Sequence, residues 1–282
     1  MTDPTARLRT LAERIIEVYR RHMPVDAALL AGSGARGDAD AYSDLDLLLY
    51  GATVPPYEAA VAAQHELGAG EAIAILPHGE QGFLDQFPLD GVACQVGLLS
   101  LADVEADLER LLVAHDGLGT PLPKIATGLL EGVPLHGERV IERLRERVEH
   151  YPESLRRAMV EHWWRFFPLW HLEASFASRD APLWQQEELV NAAYALTGTL
   201  AGVNHQYFAR FEFKRERAFL AKLNVAPDRF ADRLLGLFSS PEPVLDLERL
   251  VAETQVIVER ELPGVDVSLR RPPGSRQEPW PA

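Results

Sequence analysis

Two aspartates one residue apart, Asp44 and Asp46, follow a Gly32-Ser33 pair after a short spacer. On a strand, alternate side chains share a face, so Asp44 and Asp46 point one way while Leu45, Leu47 and Leu49 point the other. Adjacent carboxylates repel, and a protein keeps them together mainly where a cation neutralises them. The glycine-rich run Gly32-Ser33-Gly34-Ala35-Arg36-Gly37 lies just upstream and can offer backbone N–H groups to an anion. A divalent metal held by carboxylates beside a phosphate-sized cradle is what a nucleoside triphosphate site requires.

The elements that must position these groups are legible as alternating helix and strand periodicities over the first ~120 residues. Leu8, Leu11, Ile15 and Tyr19 mark one face of an opening helix. Strands are predicted over 25–31, 45–50, 71–76 and 92–99, and a helix over 57–67. Ser100 with Asp103 reads as an N-cap with an acidic first turn, opening a helix through Leu112. After Gly117-Leu118-Gly119-Thr120-Pro121 strand signals cease. Helical patterns then run to about residue 261, with one helix starting at Pro152 and others over 184–201, 215–223, 227–237 and 243–259. The expected class is α+β. A small mixed-sheet domain (1–120) precedes an all-α bundle (121–262) and a peripheral Pro/Arg-rich tail (263–282).

Composition narrows the partners. With 28 basic against 42 acidic residues the formal charge is −14. Binding to long nucleic acid relies on a basic surface that releases counterions, so such a partner is not expected. The acidic surface serves solubility or steers a cationic small molecule. No apolar run approaches the ~20 residues that span a bilayer, and the N-terminus lacks a signal-peptide pattern. The single cysteine, Cys94, excludes an internal disulfide, fits a reducing cytoplasm, and reads as a small buried strand residue. No zinc spacing, Gly-x-Ser-x-Gly elbow or Walker lysine motif is present.

The Gly32-Ser33 … Asp44-Leu45-Asp46 pattern, with Ser43 before the pair and Ala35-Arg36-Gly37 after Gly-Ser, resembles the signature of the DNA polymerase β-like nucleotidyltransferase superfamily. The resemblance implies Asp44 and Asp46 as catalytic ligands of magnesium, two ions being possible about 4 Å apart. It also implies that Gly32, Ser33, Arg36 and Ser43 bind the phosphates of ATP or another nucleoside triphosphate, and that pyrophosphate leaves. Arg36 has a second reading as the salt-bridge partner of Asp38 or Asp40. The superfamily commonly carries a third carboxylate on a later strand; the matching position here is Gln95, which cannot act as a general base. Either another acid (Asp85, Asp90 or Glu80) takes that role, or transfer is impaired.

The second half resembles, more loosely, the helical domain of small-molecule, antibiotic-modifying nucleotidyltransferases. The stretches concerned are Pro134-Leu135-His136-Gly137, Tyr151-Pro152-Glu153-Ser154-Leu155 and Gly202-Val203-Asn204-His205-Gln206-Tyr207 with Lys214. That resemblance implies a small-molecule acceptor. It turns Asn204, Tyr207 and Lys214 toward the ligand, with Lys214 reaching the triphosphate; a solvated helix start is the other reading of Lys214. The aromatic run from His162 to Trp170 reads as core or as a stacking pocket, with Pro168 kinking or dividing the helix. The expected activity is transfer of a nucleoside monophosphate, AMP from ATP, to a hydroxyl. The alternatives are a nucleotide-binding regulatory protein and an enzyme that modifies a protein. Oligomeric state is not legible.

Overall fold

The computed structural model describes residues 3–169, 172, 180–211 and 213–269. The chain is α+β and divides into two compact units. Lys124–His150 joins the chain up to Ala114 in the first, and His115–Pro123 joins the chain from Tyr151 onward in the second.

The first unit is built on a six-stranded mixed sheet. Its strands are β1 (Ala27–Leu30), β2 (Leu45–Gly51), β3 (Ile73–Gly79), β4 (Gly82–Leu89), β5 (Val92–Ser100) and β6 (Val133–His136), in the order β3-β4-β5-β2-β1-β6. Only β2 and β5 run parallel; the other pairs are antiparallel. One face packs on α1 (Pro4–His22) and α3 (Tyr57–Leu67). Leu8, Leu11, Ile15 and Tyr19 are buried there against Leu45, Leu47, Leu49, Cys94 and Val96, which bears out the amphipathic reading of α1 and the alternation of β2. Burial pushes the Cys94 thiol up to about 12, so it is an inert core group. Leu29 points to the other face and lies under Gly132, where an added Cβ would come within 2.7 Å of Leu29 Cδ1. The helices α4 (Leu101–Leu112), α5 (Pro123–Glu131, from Lys124 on) and α6 (Glu138–Glu149) belong to this unit. Ser100 caps α4 as expected, its Oγ accepting from Asp103 N–H at 3.2 Å.

Two strands depart from the sequence expectation. Strand β4 was hidden because its inward positions, Phe83, Asp85, Phe87 and Leu89, include a carboxylate, and because Pro88 interrupts the run. Asp85 is 1 % exposed and accepts from Gln64 Nε2 at 2.9 Å; the same amide donates to the Tyr19 hydroxyl at 3.3 Å. Strand β6 lies beyond residue 120, in a stretch expected to be helical. It is four residues long, contains Pro134 and pairs only with β1, the edge position that tolerates proline.

The second unit is helical, with α7 (Glu153–Trp163), α8 (Pro182–Val203), α9 (Glu216–Leu220), α10 (Phe230–Gly236), a 3-10 turn (Leu237–Ser239) and α11 (Pro243–Glu261). Helices α7 and α8 meet at Gly198 and Gly202, where added Cβ atoms would stand 2.3 Å from Trp163 and 2.9 Å from Met159. Helix α7 ends at Trp163, before Pro168. Trp164 and Phe166 are half-buried and pack against the bundle core, Trp163 meets Phe208 edge-on, and Phe167 is exposed; Trp170 lies outside the described residues. The segment 263–269 is not peripheral: Val265 and Val267 are buried in the same core, and Trp164 Nε1 donates to the Val267 carbonyl at 2.9 Å.

Candidate active site

Strand β1 ends in the short helix α2 (Gly32–Arg36), and the chain returns through a loop into β2. Gly32 adopts φ +61, the left-handed region that favours glycine. A Cβ there would sit 2.1 Å from Asp46 Oδ2, so the glycine is what lets the turn close directly onto that carboxylate. Ala31 N–H donates to the Asp46 carbonyl at 2.9 Å and fixes the same approach through the backbone. Gly37 ends α2 in a left-handed conformation, its N–H donating to the Ser33 carbonyl at 3.0 Å.

Asp44 immediately precedes β2 and Asp46 lies within it, both half-buried on the face opposite Leu45, Leu47 and Leu49. In the parallel ladder Asp46 pairs with Gln95 of β5, and Gln95 Nε2 donates to Asp44 Oδ2 at 3.2 Å. The strand register read from the sequence is therefore the observed one, and an amide stands between the two aspartates and the rest of β5. Gln86 of β4 is directly opposite Gln95 and shares its face. The sequence reading missed Gln86 because it missed β4.

None of the substitute acids joins this face. Asp85 pairs in register with Val96 and points into the core beneath α1 and α3. Asp90 sits in the β4–β5 turn, bound to Arg14 at 2.8 Å. Glu80 lies in the β3–β4 turn beside Gly82, which pairs with Leu99. Leu99 is four positions along the strand from Gln95, roughly 13 Å away.

The remaining expected ligands distribute as follows. Arg36 pairs with Asp38 at 3.4 Å and Glu131 at 3.8 Å, the salt-bridge reading of that residue. Ser43 closes a local turn: its Oγ accepts from Asp40 N–H at 2.9 Å and donates to Asp40 Oδ1 at 3.2 Å. Asn204 is a structural clamp rather than a ligand group. Its side chain donates to the Leu200 and Val225 carbonyls at 2.8 and 2.9 Å and accepts from Val225 N–H at 2.8 Å. Tyr207 is buried against Tyr151, with ring centroids 4.8 Å apart, and burial raises its hydroxyl pKa. Lys214 belongs to the second unit, exposed in the segment before α9.

The donor chemistry bears on magnesium. No cluster of three histidine, cysteine, aspartate or glutamate side chains suited to a metal occurs among the described residues. Two carboxylates on one face nevertheless suit an ion that takes one or two protein oxygens and completes its shell with water and substrate phosphates. Asp44 and Asp46 thus offer a partial donor set and not a closed all-protein cage.

No helix of the described residues is long and apolar enough to cross a membrane. No family model and no curated protein matches the chain. Among solved structures it is similar to a nucleotidyltransferase-like protein from Exiguobacterium sibiricum 255-15, at 12 % identity and a TM-score of 0.38, over 89 % of this chain and 77 % of that one. At that TM-score the likeness carries no weight for function.

Proposed function

We propose that this protein binds a magnesium nucleoside triphosphate at Asp44 and Asp46 and transfers its nucleoside monophosphate, AMP from ATP, to a hydroxyl of a small molecule. The observation that carries the proposal is the closure of the Gly32-Ser33 turn onto Asp46, where a Cβ on residue 32 would stand 2.1 Å from Oδ2. Phosphate oxygens would lie along Ser33 and the turn's backbone N–H groups, with the two carboxylates holding the metal. Bound magnesium supplies charge neutralisation for the attacking and leaving oxygens. In the transfer the acceptor oxygen bonds to the α-phosphorus, the bond to the bridging oxygen breaks, and pyrophosphate leaves with the electron pair. Gln95 cannot take the acceptor's proton. That proton passes to solvent or to the substrate.

The Gln95–Asp44 hydrogen bond favours a second reading, a protein that binds the nucleotide and does not turn it over. Labelled ATP and Mg²⁺ with a panel of hydroxyl acceptors, small molecules and proteins, separates the possibilities. Transfer predicts pyrophosphate release that Asp44→Asn lowers by roughly two orders of magnitude or more. Tight Mg-ATP binding by calorimetry with no release from any acceptor selects the second reading. Neither binding nor release sinks both.

A further inference from the structure

Helix α2 is only five residues long, too short to be stable by its own hydrogen bonds, and its last carbonyls need partners from elsewhere. They find one on α1. Arg9 Nε donates to the Gly34 carbonyl at 3.3 Å and Arg9 Nη2 to the Ala35 carbonyl at 3.3 Å. The guanidinium fork thus spans two consecutive carbonyls at the end where a cation is favoured. Beside it, Gly34 faces Leu8, the residue before Arg9, with room for no more than a methyl group between them: an added Cβ would make ordinary contacts, 3.5 Å from Leu8 Cβ and 3.4 Å from Leu30 Cδ1. Two other arginines on this half of α1 go elsewhere, Arg7 to the Asp90 carbonyl and Arg14 to the Asp90 carboxylate. A continuous connection runs from Arg9 through Gly34 and Ala35 to Ser33 and Gly32, and from Gly32 to Asp46.

We propose that Arg9 is a positioning residue: by gripping the end of α2 it holds the Gly32-Ser33 turn against Asp46, where the phosphates of a magnesium nucleotide are received. The proposal rests on the nucleotide reading of this site. Arg9 touches neither the aspartates nor the turn itself, so its effect must travel through α2. Nothing in the sequence pattern singles it out, because an exposed arginine on an amphipathic helix reads as solvated charge.

The test compares Arg9→Met, Arg9→Lys and Arg21→Met. Arg21 is on the same helix but bonds Glu17 and Glu66, away from α2, and so reports general loosening of α1. Two readouts are taken on the full chain: amide hydrogen exchange across residues 33–37, and Mg-ATP affinity by calorimetry. Arg9→Met is expected to speed exchange there by about tenfold and to weaken Mg-ATP by roughly fivefold. Arg9→Lys recovers part of both, and Arg21→Met leaves both as in the wild type. Unchanged exchange in Arg9→Met overturns the proposal. So does faster exchange with unchanged Mg-ATP affinity, or an Arg21→Met variant that behaves like Arg9→Met. If the wild type itself takes up no magnesium nucleotide, the site reading falls and the proposal with it. That failure is distinct, because it is seen before any substitution is made.

Discussion

At the scale of single residues, the site is governed by what is missing from two side chains. Gly32 lacks a Cβ, and Gln95 lacks a negative charge. Gly32→Ala would place a methyl group against Asp46 Oδ2 in a left-handed backbone, at a cost of roughly 1–3 kcal/mol. Denaturant melts should show that loss, and the double variant with Asp46→Ala should recover part of it, since the clash needs both partners. Gln95→Asp would put three carboxylates on one face. Without divalent cation it should be less stable than the wild type by about 1 kcal/mol, and added Mg²⁺ or Mn²⁺ should restore its melting temperature. Gly32, Ser33, the aspartates and the Gln95 register were all readable, because period-two alternation and a short spacer leave little freedom. Arg36 and Ser43 were not settled by sequence, because their local acidic partners, Asp38 and Asp40, are as near in the chain as any ligand; the structure shows those local contacts.

At the scale of elements, legibility followed how cleanly hydrophobic periodicity was kept. Helix α1 and strands β2 and β5 kept it, whereas α3 buries Gln64 and leaves Val61 exposed. Strand β4 broke it with Asp85 at an inward position, a carboxylate made tolerable by Gln64, and β6 was too short to show a period at all. Helix packing by contrast is controlled at glycines whose roles no periodicity reveals. Gly198→Ala gains helix propensity but drives a methyl group into Trp163, so the protein should be destabilised by about 1–3 kcal/mol. Gly128→Ala on α5 meets nothing within 4 Å and should stabilise by about 0.5–1 kcal/mol. Opposite shifts in thermal midpoint for the same chemical change would confirm that contact, not propensity, decides.

At the scale of the whole molecule, the net charge of −14 was plain from composition, whereas the behaviour of individual titrating groups depends on packing. His162 is the clearest case. Burial, with the Arg165 charge as a smaller contributor, holds its pKa below the ordinary histidine value. The unfolded chain therefore takes up this proton first on acidification. Its contribution is in full force above the unfolded pKa near ~6.5 and is lost as pH falls from there through the folded value. Melting temperatures between about pH 7.5 and about pH 5 should fall less steeply in His162→Gln than in the wild type.

The crossing of the chain between units bears on modularity. The backbone leaves the first unit after Ala114, lodges His115–Pro123 in the second, and returns at Lys124. Within that excursion Leu118 and Leu122 are buried, and His115 Nε2 meets Ser154 Oγ at 3.0 Å. No single cut can therefore release either unit intact. A fragment ending at residue 150 carries residues 115–123 away from the unit they belong to, and its complement lacks them. The same geometry bars exchange by one recombination crossover: a new helical half must bring its own version of residues 115–123.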